Sequence, residues 1–253
     1  MKGILLAGGT ATRLHPLTLV TNKHLLPVYD RPMIYYPLHT FRDMGIREVL
    51  VILGGRSIGD IIELLTDGAD FGLDLTYRYQ RGAYGIAHAI GLARDFVGDD
   101  AFCVVLGDNV MHGSSLTELA GEFESGNWEA GTLLHRVPDP QRFGVAEFDK
   151  DGNLVHFEEK PAEPKSDLIP IGFYLLRPSA FEAIDRLAPS GRGEFEITDV
   201  LNHYLERKSL HWREYTGVWT DAGTVESLMK ATELAANVVA AQEPLEGPEE
   251  PLT

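Results

Sequence analysis

Apolar positions in the first half of the chain show two alternating textures. Continuous runs at residues 2–6, 49–53 and 102–106 have almost no polar break and read as strands buried on both faces. Between them lie segments with apolar residues at helical spacing: Ile34, Leu38 and Phe41 within 31–44, then 58–65 and 84–96. Pro32 stands near the start of the first segment and Gly45 at its end. Residues 75–80 alternate as a strand does. Strands separated by helices predict βαβ units and a mainly parallel sheet.

The second half is patterned differently. Strand-like runs at 130–136, 145–149, 154–158 and 169–176 follow one another, and Asp151-Gly152 marks a turn between two of them. Some antiparallel pairing is therefore expected. Helical patterns return at 178–187, 196–207 and 224–241. No repeat and no Pro-, Gly- or Ser-rich linker divides the chain. The reading is a single α/β domain over 1–241, with a Rossmann-like, mixed but mainly parallel central sheet flanked by helices. The proline-rich, acidic stretch 242–253 is expected to be a disordered tail.

Composition adjusts this picture in a few places. With 253 residues, 44% of them apolar, the chain can bury a large core. Its 22 basic against 38 acidic residues give a net charge of −16, which argues against sequence-independent nucleic-acid binding. Small phosphorylated substrates stay open, because for them only the placement of the few cations matters. Cys103, alone in an apolar run, reads as a small buried hydrophobe, with no internal disulfide and a reducing compartment. No run reaches the ~18 apolar residues of a membrane span, and the first apolar stretch is too short for an export signal. The expectation is a cytoplasmic protein with no membrane partner.

Chemistry concentrates at the ends of the predicted strands. Leu6-Ala7-Gly8-Gly9-Thr10-Ala11-Thr12-Arg13-Leu14 follows the first strand, where open α/β sheets bind ligands. Its glycines let backbone N–H groups approach phosphate oxygens, and Arg13 offers a fork of donors for the same oxygens. It is neither a Walker loop nor a dinucleotide fingerprint, both of which space their residues differently. Lys23, in Asn22-Lys23-His24-Leu25-Leu26-Pro27, supplies a second cation. Gly107-Asp108-Asn109 follows the strand at 102–106, and Asp221 precedes the last helix. Carboxylates in such places suit Mg2+ shared with substrate phosphates, though each also reads as a cap or turn residue. The nine histidines show neither zinc spacing nor a Ser/His/Asp order; His24 and His112 are the two that adjoin the motifs.

These segments together resemble the sugar nucleotidylyltransferase family, and more closely its glucose-1-phosphate thymidylyltransferase branch. Gly8–Leu14, Pro16-Leu17-Thr18, Lys23–Pro27 and Pro32-Met33-Ile34 stand in the family's order, and the likeness runs from residue 1 to about 240. It implies an enzyme joining dTTP, or UTP, to a sugar 1-phosphate with Mg2+. It implies nucleotide contacts at Leu6, Gly8, Gly9, Thr12, Arg13, Lys23, Gln80, Gly85 and Asp108, with Gln80 and Gly85 on the pyrimidine. Sugar-phosphate contacts are implied at Asn109, Phe143, Gly144, Glu159, Lys160 and Gly172, with Glu194 in an outer position. The implied catalytic set is Arg13, Lys23, Asp108, Lys160 and Asp221, and the implied Mg2+ ligands are Asp108 and Asp221.

Three departures stand out: Ala11 where relatives place glycine, Arg81 where they place proline, and Phe143 where many have tyrosine. Longer relatives add helices that build a regulatory site and a tetramer, so a homo-oligomer is left open here. A nucleotide-sugar glycosyltransferase is disfavoured because Gly107-Asp108-Asn109 stands where an Asp-x-Asp motif belongs. A non-catalytic ligand sensor is disfavoured because every phosphate-binding cation and metal carboxylate of the motifs is present.

Overall fold

The computed structural model describes residues 1–241. In chain order the strands are β1 (Lys2–Ala7), β2 (Pro27–Val28), β3 (Arg31–Pro32), β4 (Glu48–Leu53), β5 (Asp74–Tyr79), β6 (Phe102–Leu106) and β7 (Asn109–His112), followed by β8 (Ala130–Arg136), β9 (Gly144–Phe148), β10 (Leu154–Glu159), β11 (Leu168–Leu176), β12 (Leu210–Glu214) and β13 (Val218–Asp221). The helices are α1 (Tyr35–Asp43), α2 (Ile58–Leu65), α3 (Ile86–Gly91), α4 (Arg94–Val97), α5 (Ser115–Ser125), α6 (Ser179–Asp185), α7 (Ile197–Glu206) and α8 (Val225–Ala241).

Seven strands form the central sheet in the order β12-β8-β11-β6-β1-β4-β5. β11 alone runs against its neighbours β6 and β8; the other pairings are parallel. The mixed, mainly parallel sheet expected from the sequence is thus present. Alternation along its strands divides the core. Leu5, Val51, Cys103 and Val105 face α1, α2 and α5 through Leu38, Phe41, Ile61 and Phe123. Ile4, Ile52, Phe102 and Val104 face α3, α6 and α7 through Ile90, Phe181 and Leu201. Both faces are covered, which is why these strands carry continuous apolar runs. Cys103 is buried and unpaired, and burial pushes its thiol well above the usual range.

The two-strand ladders do the positioning. β9 and β10 form the antiparallel hairpin signalled by Asp151-Gly152, with Gly152 at φ +82°. β7 and β13 pair antiparallel and set Asp221 opposite Asn109. A third, small cluster of Leu14, Leu26, Val28, Met33, Val110, Ala222, Ala231 and Ala235 packs α8 beneath the loops that carry Arg13 and Lys23.

Some boundaries differ from expectation. The first helix starts at Tyr35, not at residue 31, because Arg31 and Pro32 pair with Val28 and Pro27. The segment 84–96 breaks into α3 and α4. β7, α5, β12 and β13 were not anticipated. No helix among the described residues is long and apolar enough to cross a membrane. The stretch 242–253, expected as a disordered tail, lies outside the described residues.

Candidate active site

The site forms where β1 and β6 end side by side, Leu6 opposite Leu106. Gly107 N–H donates to the Leu6 carbonyl at 2.9 Å, so the phosphate loop and the Asp108 turn leave the sheet from one point. The loop bends through Gly9 at φ +100° and Ala11 at φ +50° before the 3-10 turn Thr12–Leu14. Thr18 Oγ1 donates to the Ala11 carbonyl at 2.8 Å and fixes that bend.

A cleft of about 460 Å3 opens above these loops. Leu6, Gly8, Gly9, Thr12, Arg13, Lys23, Gln80, Gly85, Asp108 and Lys160 all line it, together with Glu194 and Gly223. Every implied nucleotide contact is therefore brought to one cleft. Asn109, Phe143, Gly144, Glu159, Gly172 and Asp221 are not among the residues lining it. A separate cavity of about 530 Å3 lies between α1, α5 and α8, and none of the phosphate-loop residues reaches it.

Charge is arranged in pairs. Lys23 Nζ donates to Asp108 Oδ2 at 2.5 Å, with each side chain only 15% exposed. Burial pushes the Asp108 carboxyl up, but the charge and hydrogen bond of Lys23 outweigh it and hold the group below the usual carboxylate range. Asp221 lies close by. An ideal Cβ placed on Gly223 would stand 2.9 Å from Asp221 Oδ2, 3.2 Å from Arg13 Nη2 and 3.5 Å from Asp108 Oδ2. Three charged groups thus converge on one glycine. Burial, then the negative charge of Asp108, raise the Asp221 carboxyl against the pull of Arg142, the Gly223 N–H and Arg13.

His24 supports this arrangement from below. Asn22 Nδ2 donates to the carbonyls of Gly54 and Arg56, which leaves its Oδ1 to accept from His24 N at 3.1 Å and His24 Nδ1 at 2.8 Å. The imidazole proton therefore sits on Nδ1. Nε2 is buried with no hydrogen-bond partner among the described residues, against the bare Cα of Gly107. Burial and the Lys23 charge push the His24 pKa down to about 3, so the ring is neutral.

On the side of the implied base contact, Gln80 is 7% exposed. Its Nε2 donates to His88 Nδ1 at 3.1 Å, and its Oε1 would lie 3.0 Å from a Cβ on Gly8. Sequence reading did not single out His88, because a histidine inside a helix pattern carries no signal of what it faces. On the implied sugar side, Asn109 is 2% exposed, and both ends of its amide are engaged. Nδ2 donates to the Gly172 carbonyl at 3.3 Å, and Oδ1 accepts from Trp219 Nε1 at 2.9 Å. Gly172 has to be glycine for Asn109, since a Cβ there would fall 2.0 Å from Asn109 Nδ2. Glu159 is raised by burial and by Glu196, against Lys160 and Arg192. Lys160 adopts φ +47°, is 40% exposed and reaches Glu159 at 3.5 Å. Arg192, at 3.4 Å from Glu159, and Arg142, at 3.4 Å from Asp221, are cations the sequence reading passed over.

Comparison with known proteins gives this geometry its family. The nucleotidyl transferase family model matches residues 2–238, and the chain belongs to that family. Among its relatives, the chain is similar to the glucose-1-phosphate thymidylyltransferase of Neisseria gonorrhoeae, 43% identical over 94% of this chain and 83% of that one. It is also similar to the low-salt glycan biosynthesis nucleotidyltransferase of Haloferax volcanii, 43% identical over 92% of this chain, although it spans only 66% of that protein. A Bacillus anthracis crystal structure named as a candidate glucose-1-phosphate thymidylyltransferase, with sucrose bound, superposes with a TM-score of 0.87 at 47% identity, covering 93% and 95% of the two chains. A UDP-glucose pyrophosphorylase holding UDP-glucose superposes at 0.81 with 25% identity, over 94% and 98%.

Proposed function

We propose that this chain joins dTTP and α-D-glucose 1-phosphate to give dTDP-glucose and pyrophosphate. The observation that carries this is the convergence of Arg13, Asp108 and Asp221 on Gly223, beside a glycine-rich loop and Lys23. The sugar and base come from the relatives' names.

A divalent cation fits the carboxylate pair. Burial, then repulsion from Asp108, raises the Asp221 carboxyl, and the repulsive part is what such an ion relieves; two carboxylates are what Mg2+ takes when substrate phosphates supply its other oxygens. Asp108 and Asp221 would hold it, and when bound it supplies Lewis-acid neutralisation of phosphate charge.

No protein nucleophile is needed. A phosphate oxygen of the sugar 1-phosphate attacks the α-phosphorus in line; that P–O bond forms as the bond to the β-phosphate oxygen breaks. The protein positions polyanions and neutralises charge as it develops. Arg13 and the loop N–H groups bind the triphosphate. Lys23, poised on Asp108, meets the α-phosphate and the leaving group. Lys160 holds the attacking phosphate, Gln80 and Gly85 meet the pyrimidine edge, and Glu159, Gly144, Asn109, Phe143 and Gly172 form the sugar side. The same reading places the protein in the cytoplasm, with its nucleotide supply.

The decisive measurement is pyrophosphate release with glucose 1-phosphate, Mg2+ and each nucleoside triphosphate in turn. Release with dTTP well above UTP is expected, and chelation by EDTA should abolish it until Mg2+ is restored. Equal rates would mean a relaxed pyrimidine site. Silence with every triphosphate and several sugar 1-phosphates would sink the assignment.

A further inference from the structure

Arg142 has no part in the reading above. It ends the 3-10 turn Pro140–Arg142, directly before Phe143. Its guanidinium lies over the Phe143 ring, 5.1 Å from the centroid, and its terminal nitrogens divide between two carboxylates. Nη1 donates to Asp139 Oδ2 at 2.6 Å, while Nη2 donates to Asp221 Oδ2 at 3.4 Å. The side chain is 29% exposed and Asp221 only 15%, so this pairing is only partly screened by water. Asp108 has Lys23 at 2.5 Å. Each carboxylate assigned to the divalent ion therefore already carries a cation of its own.

The two contacts of Arg142 are unequal, and the inequality matters. The bond to Asp139 is short and firm; the one to Asp221 is long and weak. Asp221 Oδ2 also accepts from Gly223 N–H at 3.1 Å and from Ser227 Oγ at 3.4 Å. The guanidinium can leave Asp221 without losing its anchor, and the carboxylate then keeps its orientation. A cation so placed competes for the lone pairs that an entering ion needs.

We propose that Arg142 is the standing counter-cation of Asp221, and that it sets how tightly the carboxylate pair takes a divalent ion, which enters by displacing the guanidinium onto Asp139. The inference rests on the reading that Asp108 and Asp221 receive such an ion. A merely structural arginine, pinning the turn before Phe143, would alter unfolding temperature and leave metal affinity alone.

The test is a Mn2+ titration of the full chain without nucleotide or sugar, with free Mn2+ read by electron paramagnetic resonance and thermal unfolding recorded for each variant. R142Q should bind Mn2+ about three- to tenfold more tightly, with a gain that shrinks as salt rises. D139N, which leaves Asp221 as the main partner of the guanidinium, should bind more weakly than wild type. Equal affinities in wild type and R142Q, or weaker binding by a folded R142Q, would overturn the proposal. If neither wild type nor R142Q binds Mn2+, the metal reading itself falls and takes this inference with it.

Discussion

At the scale of single residues, the site is held in positions that cost something locally. Ala11 sits at φ +50°, ψ +33°, a conformation in which its methyl group meets the carbonyl that follows. Ala11→Gly should relieve this and stabilise the chain by up to about 1 kcal/mol in urea unfolding, after the extra backbone entropy of glycine is subtracted. His24 makes a pH prediction. Its pKa of about 3 when folded, against 6.5 for an ordinary imidazole, means the unfolded chain takes up the proton first as pH falls. Stability from His24 is complete above about 6.5 and is lost progressively toward about 3. Between pH 6.5 and 5.5 the unfolding free energy should fall by about 1 kcal/mol through this group, and His24→Gln should flatten that slope. Replacing Arg13 or Lys23 by alanine should cut turnover ~10²–10³-fold with the circular dichroism spectrum unchanged. The phosphate loop and its cations were legible because they lie contiguous in sequence after a recognisable strand. Arg142, Arg192 and His88 were not: the carboxylates that Arg142 and Arg192 reach, Asp221 and Glu159, are distant in sequence, and a histidine inside a helix pattern carries no sign of what it faces.

At the scale of elements, the β7–β13 ladder fixes Asp108 and Asp221 relative to each other. It sets Asp221 opposite Asn109, and the Ala222 N–H donates to the Asp108 carbonyl at 2.8 Å. Trp219 clamps the ladder through its indole N–H on Asn109. Trp219→Phe would leave a buried amide oxygen without its donor, at a cost of about 1–3 kcal/mol in the unfolding free energy. Gly172→Ala would force a methyl group into Asn109 Nδ2 and Leu106 Cγ, the latter 2.5 Å away, and should destabilise by about 1–3 kcal/mol in the same assay. The long buried strands were plain in the sequence, since an apolar run covered on both faces leaves an unbroken signature. β7 and β13, four residues each, were not; their partners are separated by more than a hundred residues, and short strands carry too little pattern to register.

At the scale of the whole molecule, the chain carries −16 overall, and the cations of the site are matched by carboxylates: Lys23 by Asp108, Arg142 by Asp139 and Asp221, Lys160 by Glu159, and Arg192 by Glu159, Glu194 and Glu196. Duplex DNA should therefore run unshifted beside the protein in a gel at physiological salt, because the paired cations leave little positive charge to displace its counterions. Near the sequence pI of about 4.9 the repulsion between copies vanishes, and light scattering should rise to its maximum there. One wall of the cleft is a crossing of two stretches of main chain. Gly85, at φ +96°, passes so near the backbone of Phe195 that a Cβ would fall 2.4 Å from its carbonyl oxygen, and Phe195 N–H donates to the Tyr84 carbonyl at 2.8 Å. For anyone diversifying this wall of the cleft, position 85 is a dead codon: every replacement would collide with the main chain of Phe195. Diversity belongs instead at Arg81 and Tyr84, exposed residues that adjoin the cleft-lining Gln80, Ala83 and Gly85 along the chain and whose side chains can be exchanged without rebuilding that crossing.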